Sequence, residues 1–275
     1  SGNSDLITQH LIGSPVVRKV SFTGSVPVGK QLLKMCADSV KKVSMELGGH
    51  APVIVFEDAD PVAAAQMAAT AKFRNCGQVC ISPSRFYVHE SIKEPFGEAF
   101  ANYANSLKIG YGLDEGTTIG PLANRRGLEH AESLVADAKQ HGAKVLAGGE
   151  RPSEMNAGYY FSPTVLGDVP EDARIMTEEP FVPVAPIAPF QTFDEVMDRA
   201  NAVPFGLAGY IFTNSLKTAT LASEAMETGM VGVNEVLLAS AESPFGGIKE
   251  SGLGREGGSQ GIQDYLEAKF IKTKL

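Results

Sequence analysis

Cysteine, histidine and basic charge are all scarce in this chain. Three cysteines in 275 residues cannot make a disulfide framework, and the odd count suits a reducing compartment, the cytoplasm. The five histidines are scattered, and there is neither a CxxC pair nor an HxxxH helix, so no metal site is indicated. No apolar run approaches the roughly 20 residues of a membrane span. No repeat period stands out, which excludes collagen, coiled coils and solenoids. With 24 Lys and Arg against 32 Asp and Glu, the net charge of −8 argues against a surface built for nucleic acid or anionic lipid. The Ser-Gly-Asn-Ser start carries no leader pattern and no initiator Met, which fits a chain that is processed, tagged or cut from something larger.

What is present is a well-mixed globular chain, 43% hydrophobic and 20% charged, long enough for one large domain or two smaller ones. Short β-branched runs predict strands at Val17–Phe22, Lys42–Glu46, Pro52–Phe56, Arg85–His89, Lys144–Ala147, Val184–Phe190, Leu207–Thr213 and Met230–Val233. Helical patterns lie between them at Val28–Ala37, Pro61–Phe73, Ile92–Leu107, Arg125–His141, Phe193–Ala200 and Leu216–Met226. Asp60 before Pro61, and Thr192 before Phe193-Asp194-Glu195, read as helix starts. Alternating strands and helices with nearly continuous apolar strands predict an α/β fold, its parallel sheet covered by helices. The tail Tyr265–Lys274 alternates apolar and polar and must find a sheet edge, in its own chain or a neighbour's.

Five segments have the composition of chemistry. Ser21-Phe-Thr-Gly-Ser25 follows a strand and opens a helix, where free amides attract phosphate; alone it is an ordinary strand–helix turn. Met45-Glu-Leu-Gly-Gly49 ends a strand on a carboxylate, so Glu46 is a candidate general base or a solvated turn glutamate. Asn75-Cys-Gly-Gln-Val-Cys80 places a thiol on a loop, which suits covalent catalysis, whereas Cys36 within a helical pattern reads as filler. Glu178-Glu-Pro-Phe-Val-Pro-Val184 sets a carboxylate two residues from an aromatic; the alternative is a proline-bent loop. Ser243–Glu256 is glycine-dense, yet Phe245, Ile248 and Leu253 within it favour an ordered crossing over a linker.

Taken together and in order, FTGS, ELGG, FRNCGQVC, EEPFVPV and PFGGIKESGLGRE resemble the aldehyde dehydrogenase superfamily. The resemblance covers essentially the whole chain but only the C-terminal part of that family's longer chain. It implies that residues 1–48 end a partial Rossmann-type cofactor domain and 49–249 form the catalytic domain. Residues 250–265 would return to the cofactor side, and 266–275 would be an oligomerisation strand. It further implies that Cys80 attacks an aldehyde to give a thiohemiacetal, that hydride passes to NAD or NADP to leave a thioester, and that Glu46 activates the hydrolytic water. The Cys80 amide would be half an oxyanion hole whose other donor lies upstream of this chain. Thr23, Gly24 and Ser25 would meet the cofactor's nicotinamide and pyrophosphate region, Leu47 its carboxamide, Glu179 its ribose, and Phe181 its ring. The cadence around Lys72-Phe-Arg-Asn75 is most similar to succinate-semialdehyde dehydrogenases, which makes Arg74 the partner of a substrate carboxylate. Ala239 and Ser82 depart from that subgroup, and Ser82 removes a regulatory cysteine from the expectation. A homodimer or homotetramer acting on a small-molecule aldehyde is implied. Two other readings remain open: a cofactor-independent cysteine hydrolase pairing Cys80 with His50, and a catalytically inert fragment.

Overall fold

The computed structural model describes residues 2–155 and 157–275. Twelve strands and eight helices follow one another along them. The first part holds α1 (Ser4–Gly13), β1 (Lys19–Gly24), α2 (Val26–Ala37) and β2 (Lys42–Leu47). Next come β3 (Ala51–Val55), α3 (Pro61–Phe73), β4 (Pro83–His89), α4 (Lys93–Ser106), α5 (Arg125–Gln140), β5 (Lys144–Ala147) and β6 (Thr164–Gly167). After these lie α6 (Arg174–Thr177), β7 (Val184–Phe190), α7 (Phe193–Asn201), β8 (Phe205–Gly206), β9 (Ala208–Phe212) and α8 (Leu216–Ala225). The chain closes with β10 (Met230–Val233), β11 (Ile248–Lys249) and β12 (Gly252–Leu253).

Two sheets organise the chain. The larger has seven strands in the order β10-β9-β3-β4-β7-β6-β5. Each neighbouring pair in it is parallel except the edge pair of β5 with β6. The smaller has the order β1-β2-β12, with β1 parallel to β2 and β12 antiparallel. The expected α/β architecture stands, and the departures from parallel pairing lie at edges, where short strands cap a sheet. Val53, Ile54 and Val55 of β3 are fully buried, as a strand covered on both faces must be. A second, smaller apolar cluster of Ile12, Val26, Leu32, Cys36, Met45 and Leu47 underlies the three-stranded sheet.

The helix starts behave as their sequences dictate. Asp60 accepts hydrogen bonds from the amides of Val62 and Ala63 at 2.9 and 3.1 Å, and Thr192 accepts one from Glu195 at 3.3 Å. The tail forms no strand: residues 266–275 pair with no sheet among the described residues, and Phe270 and Ile271 are 87% and 72% exposed. Pairing within its own chain is therefore not how the tail is accommodated here. No helix is long and apolar enough to cross a membrane among the described residues.

Register decides where the site falls. Ala51 pairs with Pro83, and Phe86 with Ile187, so the first residues of β3, β4 and β7 lie level in adjacent strands. The loops that enter these strands carry Gly48 and Gly49, then Cys80, then Glu179 and Phe181, and open side by side at one edge. Glu46 reaches that edge from the end of β2. Ser251 ties the two sheets together there: its hydroxyl donates to the Gly48 carbonyl at 2.7 Å and accepts from the Gly206 amide at 2.9 Å, and its carbonyl accepts from Leu47 at 2.9 Å.

Val40, in the turn before β2, is 90% exposed yet has φ +49°. A β-branched side chain is strained in that left-handed region and here gains no burial in return. Val40→Asn is expected to stabilise the fold by about 1 kcal/mol, read as a higher urea midpoint at unchanged slope. An unchanged or lower midpoint would contradict the strain.

Candidate active site

The loop from Arg74 to Ser82 is held in an unusual shape. Asn75 and Cys76 have φ values of +49° and +58°, left-handed for residues with side chains. Such backbone persists only where the surroundings impose it. Here the Asn75 side-chain amide donates to the Gln78 carbonyl at 2.9 Å, and the Gln78 amide donates back to the Asn75 carbonyl at 3.1 Å. The Gln78 side-chain oxygen accepts from the Ala123 amide at 3.0 Å, and the Cys76 thiol donates to the Gly120 carbonyl at 3.1 Å. Gly77 is required twice over. Its φ is +71°, and a Cβ there would come within 2.3 Å of the Val182 carbonyl oxygen. Cys76 and Cys80 are both free thiols; Cys76 is buried and Cys80 half-buried.

The half-buried Cys80 thiol faces the Glu46 carboxyl. Burial pushes Glu46 up from 4.5 to about 7; the Cys80 thiol beside it pulls the other way, while the charges of Glu256 and Glu179 add to the rise. One Glu46 oxygen is buried without a hydrogen-bond partner. Burial also raises the Cys80 thiol well above the ordinary range, helped by the Glu46 charge and opposed by the amides of Ile81 and Cys80, which point at the sulfur. A thiol, a carboxyl able to take its proton and two backbone amides thus share one half-dry spot, groups of the kind that covalent catalysis needs.

Glu179 leans over the Gly48–Gly49 turn. Its carboxylate accepts from the Gly49 amide at 3.1 Å, and a Cβ on Gly48 would strike its other oxygen at 2.1 Å. Burial pushes this carboxyl to about 7 as well. Phe181 is 45% exposed at φ +48°, next to the Val182 that abuts Gly77. Thr23 and Gly24 lie opposite Glu46 and Leu47 in the β1–β2 register. Ser25 is the N-cap of α2, but its side chain makes no cap bond, and no acidic residue occupies the first helical turn. Arg74 is exposed at the far end of the Cys80 loop and makes no ion pair among the described residues. His50 does not join Cys80. It is buried, its Nδ1 lies 2.9 Å from the Ser84 hydroxyl, and burial lowers its basicity far below normal, with Arg85 and Lys72 adding to the effect.

Residues 1–271 match the aldehyde dehydrogenase family. The chain belongs to that family. It is 46% identical to 3-sulfolactaldehyde dehydrogenase of Pseudomonas putida over 98% of its own length and 55% of that protein. It is 44% identical to succinate-semialdehyde dehydrogenase [NADP(+)] GabD of Escherichia coli (strain K12), again over 98% of this chain and 56% of the relative. A solved NAD+ complex of aldehyde dehydrogenase from Bacillus cereus superposes with TM-score 0.89 at 39% identity, covering 93% of this chain and 52% of that one. The chain thus spans about half the length of the curated relatives it matches.

The family implies a nicotinamide dinucleotide, and the donor set fits one. An uncapped helix start without acidic neighbours suits a phosphate, and a buried carboxylate on a glycine turn suits sugar hydroxyls.

Two residues escaped the motif reading. The charge of Glu256 reaches Glu46 from the glycine-dense segment. Lys72 is wholly buried with an unpartnered amine that burial lowers to about 7, and that amine lies 3.4 Å from where a Gly77 Cβ would stand. The sequence signal was available for Lys72: it continues the buried stripe of Ala65, Ala68 and Ala69 along α3.

Glu46 holds its proton more tightly folded than unfolded, so the folded state binds the extra proton between about pH 4.5 and 7 and loses stability as pH rises through that window. Glu46→Gln is expected to match the parent near pH 4 and to exceed it by about 3 kcal/mol at pH 8. Urea titrations across that range test this, and curves that stay parallel would show that Glu46 is not held protonated.

Proposed function

We propose that the protein carrying this chain oxidises an aldehyde to a carboxylic acid, with Cys80 as nucleophile, Glu46 as base and NAD or NADP as hydride acceptor. The observation that carries this reading is the Glu46 carboxyl facing a half-buried Cys80 thiol whose sulfur is met by two backbone amides. The sulfur bonds to the carbonyl carbon and its proton passes to Glu46, giving a thiohemiacetal. The Cys80 amide would donate to the oxygen that becomes negative. The bound nicotinamide supplies the acceptor for the hydride that leaves this carbon. Once Glu46 has passed the thiol proton to solvent, it deprotonates the water that hydrolyses the thioester remaining on Cys80 and returns that proton to the leaving thiolate, which frees the thiol and the acid. Gly24 and Ser25 would hold the pyrophosphate of the cofactor, Thr23 would lie near its nicotinamide, the Leu47 backbone would meet its carboxamide, Glu179 its ribose, and Phe181 its ring. The hydrolase reading loses its base, because His50 bonds to Ser84 and not to Cys80.

The substrate we infer is a small aldehyde with a distal anion. Arg74 offers an exposed, uncommitted guanidinium beyond the Cys80 loop, suited to bidentate pairing with a carboxylate or sulfonate. The relatives named for succinate semialdehyde and 3-sulfolactaldehyde agree with either anion. Residues 1–48 and 250–265 we assign to the cofactor side and 49–249 to the catalytic side, a division supported by the two sheets. The exposed tail, residues 266–275, supports pairing across subunits into a homo-oligomer, and three free thiols suit the cytoplasm.

An aldehyde panel with both nicotinamides tests this on the parent protein, Cys80→Ser and Arg74→Ala. Cys80→Ser is expected to abolish aldehyde-dependent reduction of the nicotinamide. Arg74→Ala is expected to cost acid-bearing aldehydes about tenfold or more in kcat/KM and neutral ones little, as loss of a charge-assisted pair would. Equal losses for both classes would sink the anionic assignment while leaving the dehydrogenase intact.

A further inference from the structure

We propose that Tyr210 is the positioning residue of the nucleophile: its hydroxyl, anchored in the large sheet, fixes the turn that presents the Cys80 sulfur. This rests on the assignment of Cys80 above. Tyr210 belongs to β9, next to β3, and is 1% exposed. Its hydroxyl donates to the Ile81 carbonyl at 2.6 Å, across 129 residues of sequence. That distance lies at the short end of the range for a hydroxyl donor.

The bond matters because of what Ile81 does. The Ser82 amide donates to the Val79 carbonyl at 2.9 Å, which closes a turn whose two central residues are Cys80 and Ile81. The amides of these same residues point at the Cys80 sulfur. On one side the turn is braced by the reciprocal Asn75–Gln78 bonds, and on the other the chain enters β4 at Pro83. Gly49 packs behind it, where a Cβ would meet the Cys80 carbonyl oxygen at 2.9 Å. The Tyr210 bond adds a point fixed to the sheet itself. Holding the Ile81 carbonyl fixes the Ile81–Ser82 peptide, whose amide closes the turn on Val79, and the closed turn in its turn frames the two preceding peptides that carry the Cys80 and Ile81 amides.

A phenylalanine would fill the same core volume, so packing alone does not account for the hydroxyl. A phenol buried at this depth is costly unless it is bonded. The group is also near the reacting centre: burial raises the Tyr210 hydroxyl and the charge of Cys80 raises it further, so it stays protonated and remains a donor. Glu46 is the other charged group facing that sulfur.

Tyr210→Phe tests this, with Tyr87→Phe as its control. Tyr87 is equally buried, but its hydroxyl contacts Arg85 and Glu171, not the nucleophile. Iodoacetamide labelling of Cys80 is followed by peptide mass spectrometry against pH, on protein kept folded below its melting temperature, alongside kcat and KM for the aldehyde. In Tyr210→Phe the labelling rate at neutral pH is expected to fall about tenfold and its midpoint to move upward, since misaimed amides no longer favour the thiolate. kcat should fall with it while KM stays within about twofold. Tyr87→Phe should lose stability without moving either profile. A Tyr210→Phe enzyme with parental labelling and kcat would overturn the inference, whatever its stability. If Cys80→Ser retained aldehyde oxidation, the nucleophile assignment would fail first; if it is dead while Tyr210→Phe is silent, only the role of Tyr210 falls.

Discussion

The level register of β3, β4 and β7 is the constraint from which the site follows. Parallel neighbours that start at the same height send their entering loops to a common edge, so the Gly48–Gly49 turn, the Cys80 loop and the Glu179–Val182 segment meet without any long side chain reaching for another. β3 is buried on both faces between β4 and β9, so its height is fixed by the fit of its side chains to the helices packed over it and by its ladders to these two neighbours. Glu46 then arrives from the other sheet, and the Ser251 hydroxyl joins that sheet to the Gly48 turn. The chemistry lies at a seam between two sheets, each with its own apolar cluster.

Burial at the seam dominates the electrostatics. Burial pushes both Glu46 and Glu179 up to about 7, and Glu256 joins Glu179 as a second negative neighbour of Glu46. Behind the loop, Lys72 has lost much of its basicity for the same reason. A carboxyl poised near pH 7 can both accept and return a proton at modest cost, as the two half-reactions proposed on one sulfur would require. A fully solvated glutamate would be a permanent anion and a weaker base.

Elements set by local pattern were legible in the sequence. Asp60 and Thr192 announced their helices, and the strands that became β5, β7 and β10 were readable end to end, because capping and β-branched runs act within a few residues. The four-residue β6 and α6 were not, since each is too short to establish a period and is held by neighbours distant in sequence. The helix α1 was missed too; its apolar residues are largely exposed, which blurs the stripe. Glu46 at a strand end and Cys80 and Glu179 on loops were readable as residue types, and the ordered set of motifs joined them. Tyr210 looked like one more aromatic in a core strand. Its hydroxyl acquires meaning only when the chain brings Ile81 beside it.

Gly77 carries a mechanical consequence. With the Val182 carbonyl occupying the space a side chain would need, the backbones of the two loops are in van der Waals contact and cannot slide past one another. Bulk added at Gly77 would have to part the two loops, and with them Phe181 from the segment that bears the thiol, so this one hydrogen atom sets the width of the gap between them.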